Sequence, residues 1–295
     1  MSDVPALSCV VLPDNAPAQF LADVREAEQA GVRTVWTYDH LSWRSLRGGP
    51  WFGMVPLLSA AAVTTSTVRL GVQVATPNFR HPVPFAQEVM TLDHLSGGRF
   101  DLGVGAGARD SDAVVLGQPE LSLRERADRF GEWTTVLRDA LAGGRTSFTG
   151  TYYDVREAVT EPGCVQSPTV PFTVAATGPR GMRLAARIGT SWVTYGPFGV
   201  EQSSPLDWVS QVAAQTEAFG RVEAEVRPRR RIRRIVQIGL DQREFFTDAD
   251  TYAEVLAGLT AAGFDEVTVH WPRPDGRGVP RGALERVVEL HAAAR

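Results

Sequence analysis

The sequence predicts one (β/α)8 barrel, an α/β fold of the TIM-barrel class with insertions at its C-terminal face, formed by residues 1–295 as a single domain. Three observations predict it. Eight short runs rich in β-branched residues alternate strictly with eight longer helical runs. Most of the short runs are apolar throughout rather than alternating, as in a sheet covered on both faces. Two helix-to-strand joints also echo each other: Gln29-Ala30-Gly31-Val32-Arg33-Thr34-Val35 and Ala261-Ala262-Gly263-Phe264-Asp265-Glu266-Val267. In each, a glycine able to take the left-handed conformation ends the helix, and an apolar residue can pack back on the last turn.

In chain order, strands are expected at Ser8–Leu12, Thr34–Tyr38, Val68–Ala75, Phe100–Gly105, Thr173–Ala176, Ser191–Thr194, Ile232–Ile238 and Glu266–His270. The helical runs between them are Pro17–Ala30, Met54–Thr65, Pro82–Leu95, Leu121–Ala142, Arg180–Ile188, Pro205–Gly220, Asp248–Ala262 and Arg281–Ala294. Pro82 suits a first helical turn, where its missing amide costs nothing. Residues 106–120 and 143–172 break the rhythm with Gly, Pro, Ser, Thr and two Tyr. In a barrel such excursions build the active-site rim or an oligomer contact.

Composition narrows the function. The chain carries a formal net charge of −4 and no Lys, so all 30 of its Lys+Arg cations are Arg. A slightly acidic total argues against a general nucleic-acid or membrane-surface binder. Cys9 and Cys164 make neither a disulfide framework nor a metal pattern. The start lacks a basic leader region and no apolar run approaches the ~18 residues of a membrane span, so a soluble cytoplasmic protein is expected. The five His are scattered, and no H-E-x-x-H, Walker A, G-x-S-x-G or C-x-x-C pattern occurs. No metal site is expected.

In a barrel the chemistry belongs at the C-terminal ends of the strands. After the second strand comes Tyr38-Asp39-His40-Leu41-Ser42-Trp43. Asp39 and His40 can serve a cofactor and a proton transfer, or equally a helix cap and a core imidazole. Gly103-Val104-Gly105-Ala106-Gly107-Ala108 formally matches a dinucleotide fingerprint, but Arg109-Asp110-Ser111-Asp112 intervenes before any helix. Alternating glycines better suit a strand with a flat ring close to its backbone. Ala175-Ala176-Thr177-Gly178-Pro179-Arg180 runs into a helix start, which fits either a phosphate on free amides and Arg180 or an ordinary turn. His81 reads as structural. Arg227, Arg229, Arg230, Arg231, Arg233 and Arg234 read as a solvated loop before a strand. Trp43, Trp51, Phe52, Tyr195 and Trp271 fall near strand ends, where they would rim an apolar substrate or simply pack.

Several strings together resemble the bacterial-luciferase-like oxidoreductases, and more closely their deazaflavin (coenzyme F420)-dependent branch. They are Gly31-…-Val35-Trp36-…-Asp39-His40, Arg69-Leu70-Gly71-Val72-Gln73-Val74-Ala75-Thr76-Pro77, Arg80-His81-Pro82, Leu92-Asp93-His94-Leu95-Ser96-Gly97-Gly98-Arg99-Phe100, Leu102-Gly103-Val104-Gly105-Ala106-Gly107, and Pro171–Ala176 with Leu184-Ala185-Ala186-Arg187. The likeness is good over roughly residues 5–200 and looser beyond. It implies a barrel, usually a homodimer, that moves hydride between reduced F420 and a small organic substrate, with C=C or C=N reduction the expected reaction. The alternative is an FMN-dependent monooxygenase using reduced flavin and oxygen. The resemblance places Asp39, Gln73, Val74, Gly105, Ala106 and Gly107 along the ring and ribityl chain. It places Ala175, Ala176, Thr177, Gly178 and Arg180 at the phosphate, His40 at the reacting face, and Trp43, Trp51 and Tyr195 beside the substrate. It also implies a cis peptide between Gln73 and Val74. One departure stands out: sugar-phosphate dehydrogenases of this branch carry a glutamate just after the glycines. Here Ala108-Arg109 follow, with no carboxylate until Asp110, which argues against a sugar phosphate.

Overall fold

A computed structural model describes residues 4–108, 112–197, 203–227 and 231–292. Its strands are β1 (Ala6–Val10), β2 (Thr34–Thr37), β3 (Arg69–Ala75), β4 (Phe100–Val104), β5 (Arg145–Thr149), β6 (Asp154–Val159), β7 (Phe172–Ala175), β8 (Ser191–Thr194), β9 (Arg233–Gln237) and β10 (Glu266–His270). Its helices are α1 (Pro17–Gln29), α2 (Met54–Thr64), α3 (Pro82–Leu95), α4 (Asp112–Val115), α5 (Leu123–Leu141), α6 (Pro179–Ile188), α7 (Pro205–Val226), α8 (Ala249–Ala261) and α9 (Leu284–Ala292). Eight strands close a barrel in the order β1-β10-β9-β8-β7-β4-β3-β2, and β5 pairs β6 apart from it. The expected fold class is therefore what forms.

The chain makes two compact units, one of Met1–Val11, Glu26–Trp36 and Ala176–Arg295, the other of Leu12–Arg25 and Thr37–Ala175. In the first, Trp192 is fully buried and stacks on Phe219 with ring centroids 4.4 Å apart. Its first β10 residue, Glu266, is fully buried and lies 3.5 Å from both Arg33 and Arg233. In the second unit, Trp133 is buried between Phe85 and Phe130. There Arg69 grips Asp101 through two 2.8 Å bonds and reaches Gln166 at 3.0 Å. These polar clusters sit at the N-terminal ends of β3, β4 and β10, the face of a barrel given to stability rather than chemistry.

The two echoing joints behave as their sequence implies. Gly31 and Gly263 take φ of 73° and 79°. Val32 N–H bonds to Ala27 O while Gly31 N–H bonds to Glu28 O, and Phe264 and Gly263 repeat the pattern on Leu259 and Thr260. Both apolar residues are buried, which completes the helix-ending motif.

Some of the expectations change. The first strand lies at Ala6–Val10 rather than Ser8–Leu12, because it pairs in register with β10 from Ala6↔Glu266 to Val10↔His270. The helix expected to end at Gly220 runs on to Val226. A lone helical glycine costs only ~1 kcal/mol. Beyond it the buried Glu223 accepts Ile232 N–H at 2.6 Å and pairs with Arg234 at 3.2 Å. Residues 143–172 are not wholly irregular: they include the β5–β6 hairpin, which packs beside α5.

The arginine run serves the fold. Arg231 binds Asp265, Arg233 binds Ser191 and Arg227 reaches the carbonyls of Gly189 and Arg187. Arg229 and Arg230 lie outside the described residues, as do Arg109, Asp110 and Ser111. Among the described residues no helix is long and apolar enough to cross a membrane.

His270, at the end of β10, is buried with its ring N–H donated from Nδ1 to Ile238 O at 3.2 Å. Burial pushes its pKa from 6.5 down to about 3. The unfolded chain therefore takes up a proton in this window that the folded chain refuses, so stability falls as pH drops from about 6.5 toward 3. The slope from this residue is at most ~1.4 kcal/mol per pH unit. Urea unfolding across that range is expected to show a shallower acid limb in His270→Asn than in the parent.

Candidate active site

Three loops of the second unit leave the C-terminal ends of β2, β3 and β4 and bring two ion pairs together. The β2 loop carries Asp39 and His40, the β3 loop Arg80, and the segment after β4 reaches Asp112 at the start of α4.

Asp39 is buried and both its oxygens are held by Arg80, Oδ1 from Nη2 at 2.7 Å and Oδ2 from Nε at 3.0 Å. Arg80 is itself fixed on other sides. Its Nη1 reaches Glu88 at 3.0 Å, its guanidinium lies over Phe79 and Phe85, and Trp133 Nε1 donates to its carbonyl at 2.7 Å. Burial pushes the Asp39 carboxyl above the usual carboxylate range, although the hydrogen bonds from Arg80 pull the other way. The side chain that the sequence places along a ring is first of all the partner of Arg80.

His40 Nδ1 lies 2.9 Å from Asp112 Oδ2, and Asp112 Oδ1 accepts Leu41 N–H at 2.7 Å. The Asp112 side chain is 1% exposed and that of His40 is 18% exposed. Burial works to raise the Asp112 pKa, but the bonds from His40 and Leu41 outweigh it and hold the group below its ordinary value. A carboxylate can only accept, so Nδ1 carries the shared proton and Nε2 remains for another partner. A carboxylate that orients an imidazole through Nδ1 is an arrangement able to hold and pass on a proton.

The glycines have internal reasons. A Cβ on Gly103 would stand 2.1 Å from Val72 O, and one on Gly105 would stand 2.7 Å from Val74 Cγ2. Gly107 has φ +80° and its Cβ would strike the Asn78 amide. The packing of β4 on β3 thus dictates Gly103 and Gly105 before any ligand is considered. The Gln73–Val74 peptide is cis, as expected, and the β3–β4 register shifts between Val72 and Ala75. Gly103→Ala is expected to cost about 3 kcal/mol or more, since the contact is with backbone that cannot rotate away. Urea unfolding monitored by tryptophan fluorescence checks it.

Residues 6–288 match the luciferase-like monooxygenase family. The chain belongs to that family.

Among relatives of this luciferase-like chain, an F420-dependent glucose-6-phosphate dehydrogenase of Beutenbergia cavernae is 41% identical over 190 residues. That match takes in 63% of this chain and 55% of the relative's length. An F420-dependent hydroxymycolic acid dehydrogenase of Mycobacterium tuberculosis is 29% identical over 290 residues, covering 93% of this chain and 77% of its own. A solved F420-dependent secondary alcohol dehydrogenase superposes with a TM-score of 0.79 at 19% identity, covering 99% of each chain, which supports the barrel. A solved monooxygenase of Streptomyces bottropensis superposes nearly as well, with a TM-score of 0.77 at 18% identity and 98% of each chain covered.

The remaining expected residues of this luciferase-like chain divide between the units. In the second, Trp43 packs edge-on to Tyr38 at 5.1 Å, as does His40 at 6.2 Å. Trp51 is half-buried, and its Nε1 is enclosed with no hydrogen-bond partner among the described residues. Phe52 is partly exposed and its amide is tied to Pro13 O. Ala106 is half-buried. His81 proves structural: it is the N-cap of α3 and its Nδ1 accepts Val83 N–H at 3.3 Å. Ala175 ends β7.

In the first unit, Ala176 is buried and its carbonyl accepts Trp192 Nε1 at 2.8 Å. Thr177, Gly178 and Arg180 are exposed at the start of α6, where Gly178 is the N-cap and no side chain caps the helix. Tyr195 is 37% exposed, whereas Trp271 is buried with Nε1 on Glu26, a packing role. The sequence reading missed Arg80, Glu88 and Asp112. In the sequence Arg80-His81-Pro82 reads as a helix start and as one string of the family resemblance, and Asp112 as part of an interruption after the glycines; neither points to a partner for Asp39 or His40.

Proposed function

We propose that this chain is an F420-dependent oxidoreductase that moves hydride between reduced deazaflavin and a small organic substrate, reducing a C=C or C=N bond. The observation that carries the reading is the His40–Asp112 pair at the C-terminal end of β2 and β4. Membership of the luciferase-like family and F420-dependent relatives on two alignments support it.

The residues present fit a flat cofactor with a phosphorylated tail. Ala75, Gly105, Ala106 and Ala175 give small side chains at or just beyond the strand ends. The Thr37 and Thr173 hydroxyls are buried without hydrogen-bond partners among the described residues, so polar atoms remain for a ligand. The uncapped start of α6 suits an anion. On this reading Asp39, Gln73, Val74, Gly105, Ala106 and Gly107 hold the ring and ribityl chain. Ala175, Ala176, Thr177, Gly178 and Arg180 hold the phosphate, and Trp43, Trp51 and Tyr195 contact substrate.

Bound F420 supplies the hydride. The accompanying proton comes from Nε2 of His40, and Asp112 fixes the ring's tautomer and stabilises its charged form. Asp39 and Arg80 hold the β2 and β3 loops so that His40 keeps its position. Just after the glycines come Ala108 and Arg109, with no carboxylate until Asp110 in the region where sugar-phosphate dehydrogenases of this branch carry a glutamate, which argues against a sugar phosphate as substrate. The same resemblance implies a homodimer, and a cytoplasmic location is part of the proposal.

Two experiments test the reading. Under anaerobic conditions, reduced F420 is expected to be consumed with an enone or imine panel, followed by its absorbance. Turnover only with reduced FMN and oxygen would give the monooxygenase reading instead. Arg180→Ala is expected to weaken F420 about tenfold while barely affecting its dephosphorylated analogue, since a charge-assisted phosphate contact contributes ~1.5 kcal/mol or more. Equal weakening of both would leave Arg180 a packing residue.

A further inference from the structure

The single turn α4 has its polarity reversed. Its buried residue is Asp112, whereas the apolar residues after it face solvent: Val115 is 55% exposed and Leu116 51%. Leu116 N–H bonds to Asp112 O at 3.0 Å, and Gly117, with φ 66°, closes the turn on Val114 O. Residues three and four apart share one side of such a turn. Val115 and Leu116 therefore lie on the side of Asp112, whereas Val114 turns away to a space it shares with Glu120, Arg126 and Arg129.

The Asp112 side is the side of the candidate active site. Asp112 Oδ2 holds His40 Nδ1 at 2.9 Å, and Oδ1 holds the amide of Leu41 at 2.7 Å. Leu41 is itself 40% exposed. Three large apolar side chains thus stand in the open beside one buried carboxylate that orients an imidazole. An apolar residue exposed singly needs no explanation, but a group of them at a polar site does. Local structure does not ask for them. Asp112 fixes the turn through His40 and Leu41, and a polar residue would serve there as well as β-branched Val115, a mediocre helix former.

We propose that Leu41, Val115 and Leu116 form an apolar wall beside His40 that receives the hydrocarbon part of a lipophilic substrate. The occupant is a substrate because the wall is continuous with the His40–Asp112 pair: Leu41 follows His40, and Val115 and Leu116 stand one turn beyond Asp112. That identification rests on the function proposed above, whereas the apolar binding face does not. Hydrocarbon leaves water against the three side chains, and Nε2 of His40 is left for the reacting end.

Straight-chain methyl ketones of five, seven and nine carbons, titrated calorimetrically into the chain with and without oxidised F420, test this without any turnover. A methylene buried on all sides strengthens binding about fourfold, so a one-sided wall should give about twofold per added carbon. With V115S and L116S combined, the gain should fall to about 1.3-fold or less per carbon, and L41S alone should lose part of it. The five-carbon ketone should still bind within about twofold of the parent, since it covers little of the wall. The variants should match the parent in urea, because none of the three side chains is in the core. Affinity that does not grow with chain length in the parent, or grows equally in the variants, overturns the proposal, as does no binding of any ketone. Loss of stability in the variants would make the side chains structural and overturns it equally. So does a parent dimer that dissociates in the variants on sedimentation, which would mark an interface between copies. Flotation of the parent, but not the variants, with phosphatidylcholine–phosphatidylglycerol vesicles would mark a lipid contact and also overturns it. Chain-length selection by the F420-free chain stands even if F420 never binds, and F420 binding without such selection removes the wall alone, so the two readings fail separately.

Discussion

Replacing His40 by alanine should lower hydride transfer about a hundredfold or more while F420 binding changes less than about threefold, because a general acid acts on the barrier and not on the bound ground state. Pre-steady-state absorbance of reduced F420 separates the two effects. Asp112→Asn should approach the same loss, since an amide can donate to Nδ1 and so turn the imidazole into the wrong tautomer. The pair acts as a unit, so His40→Ala combined with Asp112→Asn should be little worse than His40→Ala alone. A rate within threefold of the parent in His40→Ala removes the dyad from the chemistry, and independent multiplicative losses mean that Asp112 has some other role.

Asp39→Ala should destabilise the fold by about 3 kcal/mol, the lower end for breaking a buried ion pair, because Glu88 still faces Arg80 after the change. Arg80 would keep its charge with only 19% of its side chain exposed, between two aromatic rings. Replacing the pair together, Asp39→Leu with Arg80→Met, should recover much of that loss, since no uncompensated charge is then left behind. Urea unfolding of the single and double variants measures the coupling. An additive double variant would show that the two side chains do not depend on each other.

The barrel was legible because its signals are local. Apolar runs fix the strands, and Gly31 and Gly263 end helices by a mechanism readable from a glycine followed by an apolar residue. The β5–β6 hairpin was not legible, since its strands are polar and largely exposed. Its turn is held instead by Glu132, whose carboxylate collects the amides of Thr151, Tyr152 and Tyr153 from a distant helix. The site divides in the same way. Asp39 and His40 stood out as an acid beside an imidazole at a strand end. Their partners come from other loops, Arg80 41 residues and Asp112 72 residues along the chain, and only folding brings them together. The glycines also have a reason that the sequence does not display, since Val72, Val74 and Asn78 need that space.

A barrel built for F420 should prefer it to FMN. An equilibrium titration of the purified chain with F420 and with FMN, followed by quenching of its tryptophan fluorescence, tests it most directly. F420 should bind at least tenfold tighter, a difference of ~1.4 kcal/mol or more. FMN binding tenfold tighter than F420 would contradict it.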